Sequence, residues 1–475
     1  MTAIQSPGVQ PRTRTAEEIG RTATGPRPLP ALGRTRDVPL PDVTVATLPN
    51  GLRVLAAHRP GVPMVEVLLR IPAATPATTA DPAYTAGMEL LVETMLTGTA
   101  TRDRVGIDDE LAAVGGELGV GVDPEWLQAG GSALASGLPT VLDVLADVLT
   151  GATHPDDEVA RERGRLVERI AVARAQPRTV AREALQLKRF GTHPISSEMP
   201  TAEAVAGITA ERVRELHADT VVPGGACLVL VGDIDPDTAI ASVRQRLGGW
   251  TGGHPARELS GPPAVVAGDL ELVHRPGSVQ SQLRLTAPAV SRDDPRYTAF
   301  QLANLVFGGY FSSRLMENIR EDKGYTYGAH SSQEFVPGGA VLGVDTDVAS
   351  DVTAAALLET RYELGRMAAV PPTPEEIESA RRYAIGSLLI SLDSQSALAG
   401  TLSVLDSVGL GVDWLRERPA RLEEVTSEQV ADAACEFFAP TRFTGVIVGD
   451  ADVVGARLRA LGGISPDRST QEGSA

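Results

Sequence analysis

A chain of 475 residues exceeds what one ordinary core supports, so two or three domains are expected. Its 43% hydrophobic and 22% charged residues are the proportions of a soluble globular protein. The net charge of −18 excludes nucleic acid and anionic membrane as partners, whose phosphates need a basic surface, while basic peptides stay permitted.

In chain order, residues 1–38 are rich in Pro, Thr, Gly and Arg without hydrophobic period and are expected to be a disordered tail. Met1 to Arg14 lacks the apolar core of a secretory signal. No run of about eighteen apolar residues follows, so no membrane-spanning helix is expected. Residues 39–253 form a first domain, 254–268 a Pro/Gly linker, 269–462 a second domain, and 463–475 a second disordered tail. The domains are read from an internal repeat. His58-Arg59-Pro60-Gly61 and the alternating Val65, Val67, Leu69, Ile71 return as His274-Arg275-Pro276-Gly277 with Leu283, Leu285, Ala287, an offset of 216 (58 to 274). Ile208-Thr209-Ala210-Glu211, Pro223 and the run ending Val231-Gly232-Asp233 return as Val425-Thr426-Ser427-Glu428, Pro440 and Val448-Gly449-Asp450. Tyr84-Thr85-Ala86 returns as Tyr297-Thr298-Ala299. Two homologous α+β domains in tandem are therefore expected, each a mostly antiparallel sheet packed with helices. Cys227 and Cys435, one per repeat and in apolar surroundings, are expected as small buried hydrophobes. A reducing, cytoplasmic compartment fits them.

Within the first domain, Tyr84, Met88, Leu91, Val92, Met95 and Leu96 form one apolar helical stripe, with Leu90, Glu93 and Thr94 beside one another off it. Thr47-Leu48-Pro49-Asn50-Gly51-Leu52-Arg53-Val54 followed by Gly87-Met88-Glu89-Leu90-Leu91-Val92-Glu93-Thr94-Met95-Leu96 resembles the pitrilysin/insulinase family of zinc peptidases. The resemblance extends from about residue 42 to 452 and implies a clam half of the processing-peptidase type. In catalytic members this helix carries His-x-x-Glu-His, in which two His bind zinc and Glu is the base. The matching positions here are Leu90, Glu93 and Thr94, so both imidazoles are gone. The family's third ligand, a Glu on a later helix, aligns with Arg169, with Glu168 just before it. Leucine cannot donate to a metal and threonine is a poor zinc ligand. The seven His include no pair at helical ligand spacing, and His154 and His193, each before Pro, read as loop residues. No metal is expected in this chain.

In the second domain, Leu315, Met316 and Ile319 predict a short amphipathic helix, with Ser312 or Ser313 as cap and Gly324 as its stop. The strand-like Tyr325-Thr326-Tyr327 follows. The stretch from Ser313 to Gly328 resembles the family's arginine–tyrosine motif, which assigns Arg320 and Tyr327 to substrate and oxyanion contacts. Gly308-Gly309 precedes it where related subunits carry a substrate-facing glycine loop. The split motifs resemble the zinc-less subunits of two-chain peptidases. They imply a homologous partner that supplies zinc and the Glu base, and an unfolded peptide as substrate. A structural core-type subunit and a stand-alone peptide-binding module are the alternatives.

Overall fold

A computed structural model describes residues 40–73, 81–252 and 259–466. The predicted tail 1–38 lies outside the described residues, as does 467–475. Each half builds one six-stranded sheet. The first comprises β1 (Val43–Thr47), β2 (Arg53–His58), β3 (Met64–Pro72), β4 (Gly119–Val122), β5 (Trp126–Leu134) and β6 (Cys227–Gly232), in the order β1-β2-β6-β3-β5-β4. The second comprises β7 (Leu270–His274), β8 (Gln280–Pro288), β9 (Ala329–Val336), β10 (Gly339–Ala349), β11 (Thr444–Gly449) and β12 (Ile464–Pro466), in the order β12-β7-β11-β8-β10-β9. Only β2–β6, β7–β11 and β7–β12 pair in parallel, so the antiparallel-rich α+β expectation holds. β12 corrects the predicted tail. Ile464 to Pro466 pair with Leu270 to Leu272, so the ordered chain runs past residue 462 to close a sheet edge.

The helices of the first half are α1 (Pro82–Thr94), α2 (Arg104–Ala113), α3 (Leu138–Gly151), α4 (Asp156–Ala175), α5 (Pro177–Phe190), α6 (Ala202–Ala206), α7 (Ala210–Thr220) and α8 (Pro236–Leu247). Those of the second are α9 (Tyr297–Asn304), α10 (Arg314–Met316), α11 (Thr353–Ala369), α12 (Pro374–Ser391), α13 (Gln395–Ser407), α14 (Val412–Glu424), α15 (Ser427–Phe437) and α16 (Ala451–Ala460). Among the described residues no single helix is long and apolar enough to cross a membrane. Each half has its own core. Trp250, with its indole N–H on the Val221 carbonyl at 3.1 Å, closes the first. The rings of Phe300, Phe307, Phe437 and Phe438, 5.1–6.0 Å apart, fill the second.

The halves are joined by a reciprocal loan of one helix each. α5 lies on β8 and β11 of the second sheet, while α13 lies on β3 and β6 of the first. The loan is sealed by charge: Arg178–Asp347 at 2.7 Å, Lys188–Glu271 at 3.5 Å and Arg189–Glu334 on one side, Arg53–Asp406 at 2.7 Å on the other. This exchange explains why residues from Pro41 onward form one compact unit although the sequence repeats twice.

The repeated landmarks have local causes. A Cβ on Gly232 would sit 2.3 Å from the Met64 carbonyl oxygen, and one on Gly449 would sit 2.6 Å from Ser281 Oγ, so both strand ends demand glycine. Asp235 and Asp450 then cap α8 and α16 by accepting from Thr238 and Asp452 N–H. His58 Nδ1 lies 2.9 Å from the Ile234 carbonyl, and His274 Nδ1 accepts from Ala451 N–H at 3.0 Å. The cysteine expectation holds for Cys227 and fails for Cys435, which is exposed. On α15 the buried positions are Val430, Ala433, Ala434 and Phe437, and residue 435 falls outside that stripe.

Candidate functional site

Helix α1 begins at Asp81, whose carboxylate accepts from Ala83 N–H, with Pro82 in the first turn. It then runs through the interior rather than along it. Leu90 and Thr94, expected off the apolar stripe, are both fully buried. The correction has a simple cause: α4, α7 and β4 pack on α1 from several sides, so it buries more than one stripe.

Glu93 is the motif residue left partly exposed, and a guanidinium meets it. Arg169 Nη2 of α4 stands 2.7 Å from Glu93 Oε1. Glu93, Arg169, Glu168, Arg165, Arg104 and Glu162 line a cavity of about 830 Å³. Next door, burial and the Glu93 charge raise Glu89 to about 6, with Arg169 opposing. The Glu93–Arg169 pair is too exposed to stabilise the fold by more than about 1 kcal/mol. Its effect is electrostatic, since a cation already sits on the carboxylate.

Thr94 turns the other way. Its Oγ1 is 2.7 Å from His154 Nδ1, His154 Nε2 is 2.9 Å from His217 Nδ1, and His217 Nε2 is 3.0 Å from the Leu149 carbonyl. A carbonyl only accepts, so His217 Nε2 carries a proton. With both rings neutral, His154 Nε2–H donates to His217 Nδ1, and the single Thr94 hydroxyl proton is shared between the Leu90 carbonyl at 2.6 Å and His154 Nδ1. Burial, reinforced by His217 and Arg214, pushes His154 down to about 3, and burial lowers His217 as well. His154 lies in a loop as expected, yet fully buried and at φ 44°, the one non-glycine residue with positive φ among the described residues. The two His lie 63 residues apart, and no local sequence signal joins them.

A catalytic zinc does not fit these residues. At the positions that the resemblance matches to the ligands stand a buried leucine, a threonine hydroxyl engaged by the Leu90 carbonyl and His154, and an arginine. The imidazoles of His154 and His217 are joined to each other and to a carbonyl rather than facing the Glu93 cavity.

In the second half, α10 continues as π-helical turns over Glu317–Asp322 that carry Arg320. Ser313 holds the cap position, but its buried hydroxyl has no hydrogen-bond partner among the described residues. Gly324 ends the helix at φ 64°, as expected. Arg314 is the anchor: buried, it grips Glu376 through Nε and Nη2 at 2.6 and 2.7 Å and adds the carbonyls of Val370 and Pro371. Arg314→Ala is expected to cost about 3 kcal/mol by leaving Glu376 with only the Thr373 N–H and the more distant Arg366, read as a lower Tm.

Arg320 lies over the Phe311 ring at 4.5 Å and pairs with Glu321 at 2.8 Å. Tyr327 is 97% exposed. It sits at a bend in a loop, because β9 starts only at Ala329 and the expected strand does not reach it. Thr326 holds that loop by donating to the Asp347 carbonyl at 2.8 Å. Neither Arg320 nor Tyr327 lines the Glu93 cavity. Gly308 and Gly309 lie in a π-helical turn, not a loop. Gly308 is buried, and a Cβ there would stand 2.8 Å from Ser331 Oγ, so packing requires it; Gly309 is only half-buried.

Two family profiles match the chain: insulinase (peptidase family M16) over residues 53–201, and the peptidase M16 inactive domain over 207–383. An uncharacterized zinc protease of Streptomyces coelicolor is 26% identical over 436 residues, 89% of this chain and 93% of that protein. One from Mycobacterium tuberculosis is 26% identical over 409 residues, covering 85% and 92%. Among solved structures, a peptidase M16 inactive domain from Pseudomonas fluorescens matches with TM-score 0.77 at 24% identity, over 86% of this chain and 98% of that one. A protease from Helicobacter pylori matches with TM-score 0.76 at 16% identity, over 86% and 100%. With both of its halves matched by profiles of one family, the chain belongs to the insulinase (M16) peptidases.

Proposed function

We propose that this chain is the zinc-less subunit of a two-chain M16 peptidase. A homologous subunit bearing His-x-x-Glu-His supplies the metal and the base. This chain presents Arg320 and Tyr327 to the scissile region of an unfolded peptide, with Gly309 at the rim of the same segment. The observation that carries the reading is a division within one molecule. Glu93 is paired with Arg169 beside a buried Leu90 and Thr94, while Tyr327 stands open to solvent, 97% exposed among the described residues. The chemistry matches the split, because a phenolic O–H can stabilise an oxyanion formed on another subunit only if it projects beyond its own fold. β4 forms one edge of the first sheet, against α1, where an extended peptide can add as a strand. Both cysteines are free, which suits a cytoplasmic complex.

Mixing supplies the test. The chain alone should leave an unfolded reporter peptide intact, and a homologue bearing His-x-x-Glu-His should bind it and cleave that peptide in the mixture. Hydrolysis by the isolated chain, or no gain on mixing, sinks the reading. A second measurement follows from the fit of the residues. After equilibration with zinc and gel filtration, elemental analysis should find far less than one zinc per chain, and a stoichiometric count contradicts the assignment.

A further inference from the structure

In a protein with net charge −18, most described arginines find a carboxylate, and Arg292 and Arg418 are among the few in the second half that do not. Among the described residues, neither Arg292 nor Arg418 forms an ion pair. Arg418 is 3% exposed. Its guanidinium donates to Thr298 Oγ1 at 2.6 Å and to Gln301, and lies 4.4 Å from the Tyr297 ring and 5.3 Å from the Trp414 ring. Arg292 lies over Phe335 at 3.4 Å. Burial lowers the pKa of both, Tyr297 opposes at both and also hydrogen-bonds Arg292, and Arg421 and Arg292 add repulsion at Arg418. The carboxylates next to Arg292 are engaged elsewhere: Asp293 accepts from Ser291, and Asp294 pairs with Arg296.

Both arginines face a cavity of about 440 Å³ between α9, α12, α13 and α14. Its walls are mostly apolar, with Leu388, Leu405, Leu415 and Trp414, and no aspartate or glutamate lines it; Asp293, Asp294 and Glu424 line a separate hollow on the other side of the two arginines. That volume lies in the range of small-molecule sites. A buried cation without a counter-ion is costly, and an anion that brings its own apolar body offsets the cost and fills the space. Charge selects the head group and the walls select the rest.

We propose that this cavity binds a small molecule carrying one carboxylate on an apolar body, with Arg292 and Arg418 holding the carboxylate. The site is separate from the Glu93 cavity and does not depend on the two-chain reading. Two sources share the chemistry, an acyl chain and the C-terminus of an apolar peptide, so octanoate and N-acetyl-leucine serve as probes.

The experiment is calorimetric titration of the full chain with each probe and with 1-octanol, which lacks the charge. At least one carboxylate should bind saturably at one site, at least tenfold more tightly than 1-octanol. Arg292→Gln should weaken it by about tenfold or more, and Arg418→Gln likewise where that variant folds. Gly400→Phe offers an uncharged block, because Gly400 lines the cavity and a Cβ there meets nothing within 4 Å; it should abolish binding. Octanoate alone binding assigns an acyl chain, and N-acetyl-leucine alone assigns a peptide end. Absence of saturable binding by either, equal binding of 1-octanol, or unchanged binding in folded Arg292→Gln or Gly400→Phe overturns the proposal.

Discussion

Tyr327→Phe is expected to lower kcat of the mixed peptidase by roughly two to three powers of ten, the cost of removing one oxyanion donor. The same substitution should leave this chain's Tm unchanged, because at 97% exposure the ring packs against nothing inside its own fold. That combination separates a donor from a scaffold. Arg320→Ala should act differently: it loses the stack on Phe311 as well as a charge, so KM should rise along with any fall in kcat. Retention of full turnover by Tyr327→Phe would remove the residue from the chemistry and favour the structural-subunit alternative.

Acid lability centred on His154 is the second large effect. Its folded pKa of about 3 lies below the 6.5 of a free imidazole, so below pH 6.5 the unfolded chain takes up a proton that the folded chain refuses. The resulting stability is complete above pH 6.5 and is lost as pH falls toward 3. Between pH 6.5 and 5 the loss is about 2 kcal/mol. Glu89 and Glu125 work in the opposite sense. Burial raises them to about 6 and about 7, so each disfavours the fold as pH rises past the ordinary carboxylate range. The measurement is therefore a difference. His154→Asn keeps a residue that tolerates positive φ, and its Tm, compared with the unaltered chain, should fall less on going from pH 7 to 5. Parallel pH profiles would mean that His154 is not neutral in the fold.

Legibility followed the range of the interactions. The helix of residues 82–94, its missing imidazoles and the stop at Gly324 rest on contacts within a few residues, and spacing exposes those, while the Gly-Asp strand ends were legible only because they repeat. The aligned Arg169 could be read as a lost ligand, but not as the cation on Glu93, because that needs α4 laid against α1. The burial of Leu90 and Thr94 was missed for the same reason: one stripe suffices for a surface helix, and α1 is covered on more than one side. Cys435 went wrong because apolar neighbours in sequence are not neighbours on a helix face.

By itself the sequence determined a duplicated α+β chain with a dismantled zinc helix in one half and an arginine–tyrosine segment in the other, since each is written in consecutive residues. Tertiary structure alone decided the exchange of α5 and α13 between sheets, the Thr94–His154–His217 relay, and the uncompensated arginines around the 440 Å³ cavity. Those features join residues far apart in the chain, and their energies come from burial and charge pairing that exist only once the chain has closed on itself.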